Sequence, residues 1–336
     1  MARREGGEGA RRARLLARAD RHRARRDIGA GRNLSAHAKT LVALVTVQVV
    51  FAVHYLAAKE VVSVLPPRAW AFLRVAAAAI LLLLLDLARR PRRAIPAGDL
   101  ARIGFYALFG VVINQICFTE GIHRTTPSHS ALINTLIPVF TFAFAILLRA
   151  EKPSARKTTG LLVAASGVLL LLRVHDFAWE ERWVRGDLLT LANACSFGLF
   201  LVLSRDVVRR NPPLAVTAYT MAWGAVGIAA VGVPPLLRFD LATVAAETWI
   251  LMVWIVLFAT VLCYLLNNYA LTQVESSTVA LFIYLQPLIA TALSVGLGRE
   301  TISLRFAASA LLVFSGVFLV ARGRRPTRRA EILEAE

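Results

Sequence analysis

The sequence predicts an all-α, polytopic membrane protein: ten transmembrane helices in two five-helix copies that enter the membrane with opposite topology. Three observations carry that prediction. Of 336 residues, 57% are apolar and only 18% charged, whereas soluble chains run at about 45–50% apolar and about 25% charged. The apolar residues gather into ten continuous runs. Barrel strands would instead alternate in segments of about ten residues. Finally, the two halves of the chain repeat one another at a fixed offset.

In chain order, residues 1–40 come first as a basic tail expected to be a disordered cytoplasmic segment; its first 33 residues hold 11 Arg and four acids and lack the apolar core of a signal peptide. A bilayer core about 30 Å thick needs roughly 17–25 apolar residues per helix. That ruler places the first copy, residues 41–173, as spans at 41–58, 69–87, 103–120, 131–148 and 158–172. A polar connection, 174–187, leads to the second copy, 188–322, with spans at 188–204, 214–237, 249–270, 278–297 and 306–321. Residues 323–336 form a short cytoplasmic tail, and no length remains for a soluble domain.

The net charge of +18 raises the question of a nucleic-acid partner, and its distribution answers it. With the N-terminus cytoplasmic, 29 of the 39 Lys and Arg fall in inside segments and nine outside, with Arg74 inside the second span. Excess Lys and Arg mark the cytoplasmic side, so both termini are expected there, in a bacterial inner (plasma) membrane. The tail arginines suit anionic lipid. No aromatic residues interleave them to stack bases, so nucleic acid is not an expected partner. Cys117, Cys195 and Cys263 lie far apart in apolar runs and indicate neither disulfides nor a metal site.

The repeat is the most informative feature. Pro138 matches Pro287, Glu151 matches Glu300 and Gly167 matches Gly316, all at an offset of 149 that Phe109 and Phe258 share. Pro66-Pro67 and Pro212-Pro213 match at 146. Five helices per copy is an odd number, so the second copy is inverted. Inverted repeats are the architecture of secondary transporters, which rock one bundle against another around a midplane site.

With these residues in view, the two copies resemble EamA repeats of the drug/metabolite transporter superfamily over about residues 41–322. The carriers of the resemblance are the prolines inside the fourth and ninth helices, the glutamates closing them (Arg149-Ala150-Glu151 and Gly298-Arg299-Glu300), Ser166-Gly167 and Ser315-Gly316, and the Phe-Leu-Arg74 run. The departure is Ala150, read as standing where such proteins have the glycine supplied by Gly298 in the second copy. The resemblance implies a carrier of amino acids, metabolites or drugs, and it leaves the substrate open.

Candidate residues follow from chemistry. Gln48, His54, Tyr55, Asn114, Gln115, Tyr264, Asn267, Asn268, Tyr284 and Gln286 are polar positions within spans, suited to lining a central cavity or to hydrogen bonds between helices. Arg74 is a costly intramembrane charge. It either snorkels outward or pairs with Glu120 as an outer gate. Pro138 and Pro287 kink or break their helices. Glu151 and Glu300 are expected at opposite helix ends, capping the helix that follows each. Small residues at Gly160, Ala164, Gly167, Ser309 and Gly316 permit close helix approach.

These readings converge on a secondary transporter exporting a small organic solute by alternating access. A channel or lipid scramblase on the same fold is the alternative. An intramembrane enzyme ranks below both, because no nucleophile–base pair or phosphate-binding loop is present. No cofactor or metal is expected, and nothing in the sequence specifies an oligomeric state.

Overall fold

The computed structural model describes residues 38–90, 94–171, 181–296 and 304–321. The chain divides into a small unit, Met1–Ala43, of which only residues 38–43 are described, all helical, and a large one, Leu44–Glu336. Residues 1–37, 172–180 and 322–336 and Glu300 lie outside the described residues, together with the expectations placed on them.

Each predicted span falls on a helix, and none of the described residues is in a strand. The first copy comprises α1 (Ala38–Val64), α2 (Pro67–Ala88), α3 (Ala97–Arg124), α4 (Pro127–Asn134 and Ile137–Leu147) and α5 (Ala155–Leu171). The second comprises α6 (Glu181–Arg210), α7 (Pro213–Leu237), α8 (Ala246–Gln273), α9 (Ser276–Leu281, Phe282–Tyr284 and Leu285–Gly296) and α10 (Leu304–Ala321). Seven of these, α1–α4 and α6–α8, are long and apolar enough to cross a membrane. The distribution of polarity is that of a lipid-embedded bundle. Leu84, Leu147, Ile250 and Phe314 are exposed while Gln48, Asn114, Gln115 and Asn267 are buried, the reverse of a soluble surface.

The two copies share local detail at equivalent positions. Pro66 and Pro212 precede α2 and α7 with nearly identical backbones (φ −56°, ψ 127° and φ −58°, ψ 127°), each followed by a proline at the first helical residue. There the missing N–H costs nothing. Both α3 and α8 contain a stretch of π-helix, Leu108–Ile113 and Ile255–Leu262, in register by the repeat offset. Such stretches release backbone groups from the usual ladder and recur at functional sites.

Packing between copies is antiparallel. A Cβ on Gly316 would lie 2.5 Å from the carbonyl oxygen of Gly160, and one on Gly167 would lie 2.9 Å from that of Ser309. Position 160 corresponds to 309, and 167 to 316, so these are one contact made twice. The residue number rises along α5 as it falls along α10, and glycine lets the two backbones meet.

One expectation is narrowed and two are corrected. Of a kink or a break, Pro138 and Pro287 mark breaks. A turn at Thr135–Leu136 precedes Ile137-Pro138, and the 3-10 turn Phe282–Tyr284 precedes Leu285 and Pro287. Proline cannot donate to the carbonyl four residues back, so the ladder breaks there. The second outcome, a correction, concerns the end of α4. The residue equivalent to Gly298 is Arg149, and it is Arg149 that adopts the left-handed conformation, with φ 56°. The turn it makes lets the amide of Glu151 bond the carbonyl of Ala145 at 3.0 Å. An L-residue is strained there and glycine is not. Arg149→Gly is therefore expected to raise stability by about 0.5–1 kcal/mol, seen as a higher unfolding temperature in detergent.

Third, Glu151 does not cap the helix after it. It is 6% exposed and accepts from the backbone amide of Ser277 at 3.1 Å and from the Ser277 hydroxyl, so it caps the first turn of α9 in the other copy. Lys157 pairs with it at 2.8 Å and with Glu275 at 2.5 Å.

The polar ends group as alternating crossings require. At one end, Asp99 of α3 meets Arg210 at 3.0 Å and Asn211 at 2.7 Å beyond α6. At the other, Lys59 of α1 donates to the carbonyls of Ile122, His123 and Thr125 that close α3, while Thr125 donates to Asp187 of α6 at 2.6 Å.

Candidate functional site

A central cavity is walled by α1, α2, α3, α4, α6, α8 and α9 and contains about 650 Å³ of atom-free space, its mouth included. Its position follows from the repeat. Gln115 and Tyr264, Phe118 and Asn267, Asn134 and Ile283, and Ile137 and Gln286 all line it. Each pair holds equivalent positions at the same separation of 149, and Gln115 Nε2 and Tyr264 Oη lie 3.5 Å apart. Four equivalent pairs therefore face one space, which places the cavity between the two copies.

Local breaks in the helices supply polar groups to this space. Pro138 and Pro287 have no N–H to offer the residues four positions back, Asn134 and Ile283, and both of these are in the cavity wall. The π stretches present further carbonyls. The Tyr264 hydroxyl donates to Gly110 at 2.7 Å, and Arg74 Nη2 lies 3.4 Å from the carbonyl of Ala259. Gly110 and Ala259 are again equivalent. One copy meets its freed carbonyl with a phenol, the other with a guanidinium.

Nine of the sequence-predicted residues line the cavity: Gln48, His54, Tyr55, Arg74, Asn114, Gln115, Tyr264, Asn267 and Gln286. Gln286 joins two of them. It donates to Gln48 Oε1 at 2.8 Å and accepts from the Tyr55 hydroxyl at 3.1 Å, which ties α9 to α1. Asn268 is turned away and donates to Thr217 Oγ1 on α7 at 2.7 Å. Tyr284 is buried outside the lining.

Arg74 departs from both readings of it. It is 1% exposed and so does not snorkel. Nor does it pair with Glu120, which Arg68 engages at 2.8 Å and Arg124 also engages. Its Nε donates to Thr260 Oγ1 at 2.6 Å, and Nη1 has no hydrogen-bond partner. His54 is buried with neither ring nitrogen partnered, stacked on Phe118 at 5.2 Å and edge-on to Phe51 at 5.6 Å.

Sequence reasoning missed Asn134 and Asn193, both in the lining. Asn193 Nδ2 bonds the carbonyl of Asn114 at 3.0 Å. Mid-span polarity would have found Asn193, and the four-residue step back from Pro138 would have found Asn134. Among the described residues, no three His, Cys, Asp or Glu gather to hold a metal.

The comparisons with known proteins agree with this architecture. A model of the EamA-like transporter family matches residues 38–173 and 184–322. The chain is 28% identical over 217 residues to "Uncharacterized transporter YyaM" of Bacillus subtilis (strain 168), covering 64% of this chain and 70% of that one. It is 23% identical over 273 residues to a WAT1-related protein of Arabidopsis thaliana, covering 70% and 68%. A crystal structure with 18% sequence identity superposes at a TM-score of 0.67 over 86% of this chain and 98% of its own, which speaks to the fold.

Proposed function

The chain belongs to the EamA-like transporter family, and from that premise we propose that it is a secondary carrier exporting a small organic solute by alternating access. The observation supporting this is the cavity built from equivalent positions of the two copies. Two copies of one unit can exchange conformations, so states opening to either side differ little in energy and both are reached. The carrier sits in the plasma membrane of a bacterium, the inner one where there are two, with both termini in the cytoplasm. The Lys and Arg distribution supports that orientation.

In this reading Gln48, Tyr55, Asn114, Gln115, Asn134, Asn193, Tyr264, Asn267 and Gln286 contact the solute, and the proline breaks at Pro138 and Pro287 are where α4 and α9 bend. The test is transport in proteoliposomes with a metabolite panel: a carrier gives saturable flux and counterflow. Flux that never saturates and ignores the opposite compartment points to a channel. Impermeant labelling of single cysteines in a cysteine-free background adds the topology. The 4–5 and 9–10 loops are expected to react from opposite sides, and reaction from one side sinks the inverted arrangement.

Gln286→Leu removes both bonds from α9 to α1. It also removes the amide that would bond the solute, and with a neutral hydrogen bond worth about 0.5–1.5 kcal/mol, the half-saturating concentration of a transported solute is expected to rise by up to about ten-fold. An unchanged value would remove Gln286 from the binding wall.

A further inference from the structure

We propose that the solute is an organic monoanion, a carboxylate on a flat apolar body, and that Arg74 is its charge anchor. The inference rests on the carrier reading for its consequence and on the cavity alone for its content.

Among the described residues, the wall has one permanently charged side chain, Arg74, and no Asp or Glu. A guanidinium 1% exposed is expensive to hold without a counterion, and such residues are retained where something neutralises them. Among the described residues no carboxylate does so. Glu120, the acid that the topology would offer, is occupied by Arg68 and Arg124. The guanidinium's own bonds show which nitrogen is uncommitted. Nε is committed to Thr260 and Nη2 leans on the Ala259 carbonyl, while Nη1 bonds nothing. Nη1 is thus the nitrogen that an anion would engage, and a guanidinium matches the two oxygens of one carboxylate.

The charge balance limits the ligand further. One cation suits one negative charge. With no acid in the wall, an ammonium group would find no ion partner, which disfavours zwitterions and amines. Beside its amides, the wall carries an aromatic face. Phe118 stacks on His54, Phe51 meets His54 edge-on, and Phe197 lies 6.3 Å from Tyr264. Flat apolar ligands pack well on such surfaces. His54, unpartnered at both nitrogens, supplies a second donor within the same wall.

The test is equilibrium binding to purified full-length protein in detergent, which is independent of transport. Benzoate and phenylacetate are compared with benzamide, benzylamine, phenylalanine and phenyl phosphate. The carboxylates are expected to bind at least ten-fold tighter than benzamide, benzylamine, phenylalanine and phenyl phosphate. In Arg74→Gln the carboxylates should fall to the level of benzamide, whose own binding stays. Tightest binding of phenylalanine, benzylamine, benzamide or phenyl phosphate overturns the proposal, as does failure of the carboxylates to bind at millimolar concentration. An Arg74→Gln protein that still prefers carboxylates also overturns it. Where Arg74→Gln does not fold, the wild-type comparison decides alone, and Arg74→Lys, which keeps the charge but not the fork, should weaken the preference. Carboxylate binding without saturable flux would fail the carrier reading and leave the anion site standing. Saturable flux of amines or neutral solutes alone would do the reverse.

Discussion

Glu151→Ala is expected to destabilise the protein by about 3–5 kcal/mol, the loss that follows when one member of a buried ion pair is removed. The Glu151 side chain is 1% exposed and that of Lys157 12%, so water screens the pair weakly. The substitution strands more than a charge. The amide and hydroxyl of Ser277 lose their acceptor at the start of α9, and Lys157 keeps only Glu275, which is largely exposed. The measurement is the unfolding temperature and inactivation half-life in detergent, since membrane proteins seldom unfold reversibly. Glu151→Gln retains an acceptor for Ser277 and should lose less. In a double-mutant cycle, Lys157→Met should recover part of the Glu151→Ala loss, because an unpaired lysine no longer remains. Equal effects of Ala and Gln would mean the cap contributes nothing beyond the ion pair.

Glu151 also shows where the sequence stops being informative. Its place at a helix end was legible from its spacing after Pro138, but its partner was not. The expectation of a cap on the next helix used chain proximity, and the actual partner belongs to a helix of the other copy. The ten helices were legible because apolar runs of sufficient length have one solution in a bilayer. The location of the cavity was partly legible because mid-span amides and phenols are costly unless they face each other or a ligand. Asn267 and Asn268 mark the limit of that reasoning. Neighbours on a helix point about 100° apart, so one reaches the cavity and the other reaches α7. The π stretches left no trace in the residue types. They are a property of backbone register, and only the structure shows that both copies carry them in step.

The seam between α5 and α10 yields the second large effect. Gly316→Leu is expected to cost about 3 kcal/mol or more, at the upper end of overpacking. A Cβ there would fall 2.5 Å from the Gly160 carbonyl oxygen and 2.6 Å from the amide nitrogen of Ala164. Both are backbone atoms, so no rotamer change relieves the clash and the helices must separate. Gly98→Ala serves as the control. Nothing lies within 4 Å of its Cβ position, and the better helix propensity of alanine should leave stability equal or slightly raised. The mutual approach of two glycines adds a sharper consequence. Gly160 and Gly316 face each other, and a Cβ on Gly160 would lie 2.9 Å from the Gly316 carbonyl oxygen. If each alanine acts by parting the same two helices, the second methyl enters space that the first has already opened. Gly160→Ala with Gly316→Ala should then lose less stability than the sum of the single losses. Strict additivity would mean that each glycine relieves its own local crowding, and that the seam does not move as one surface.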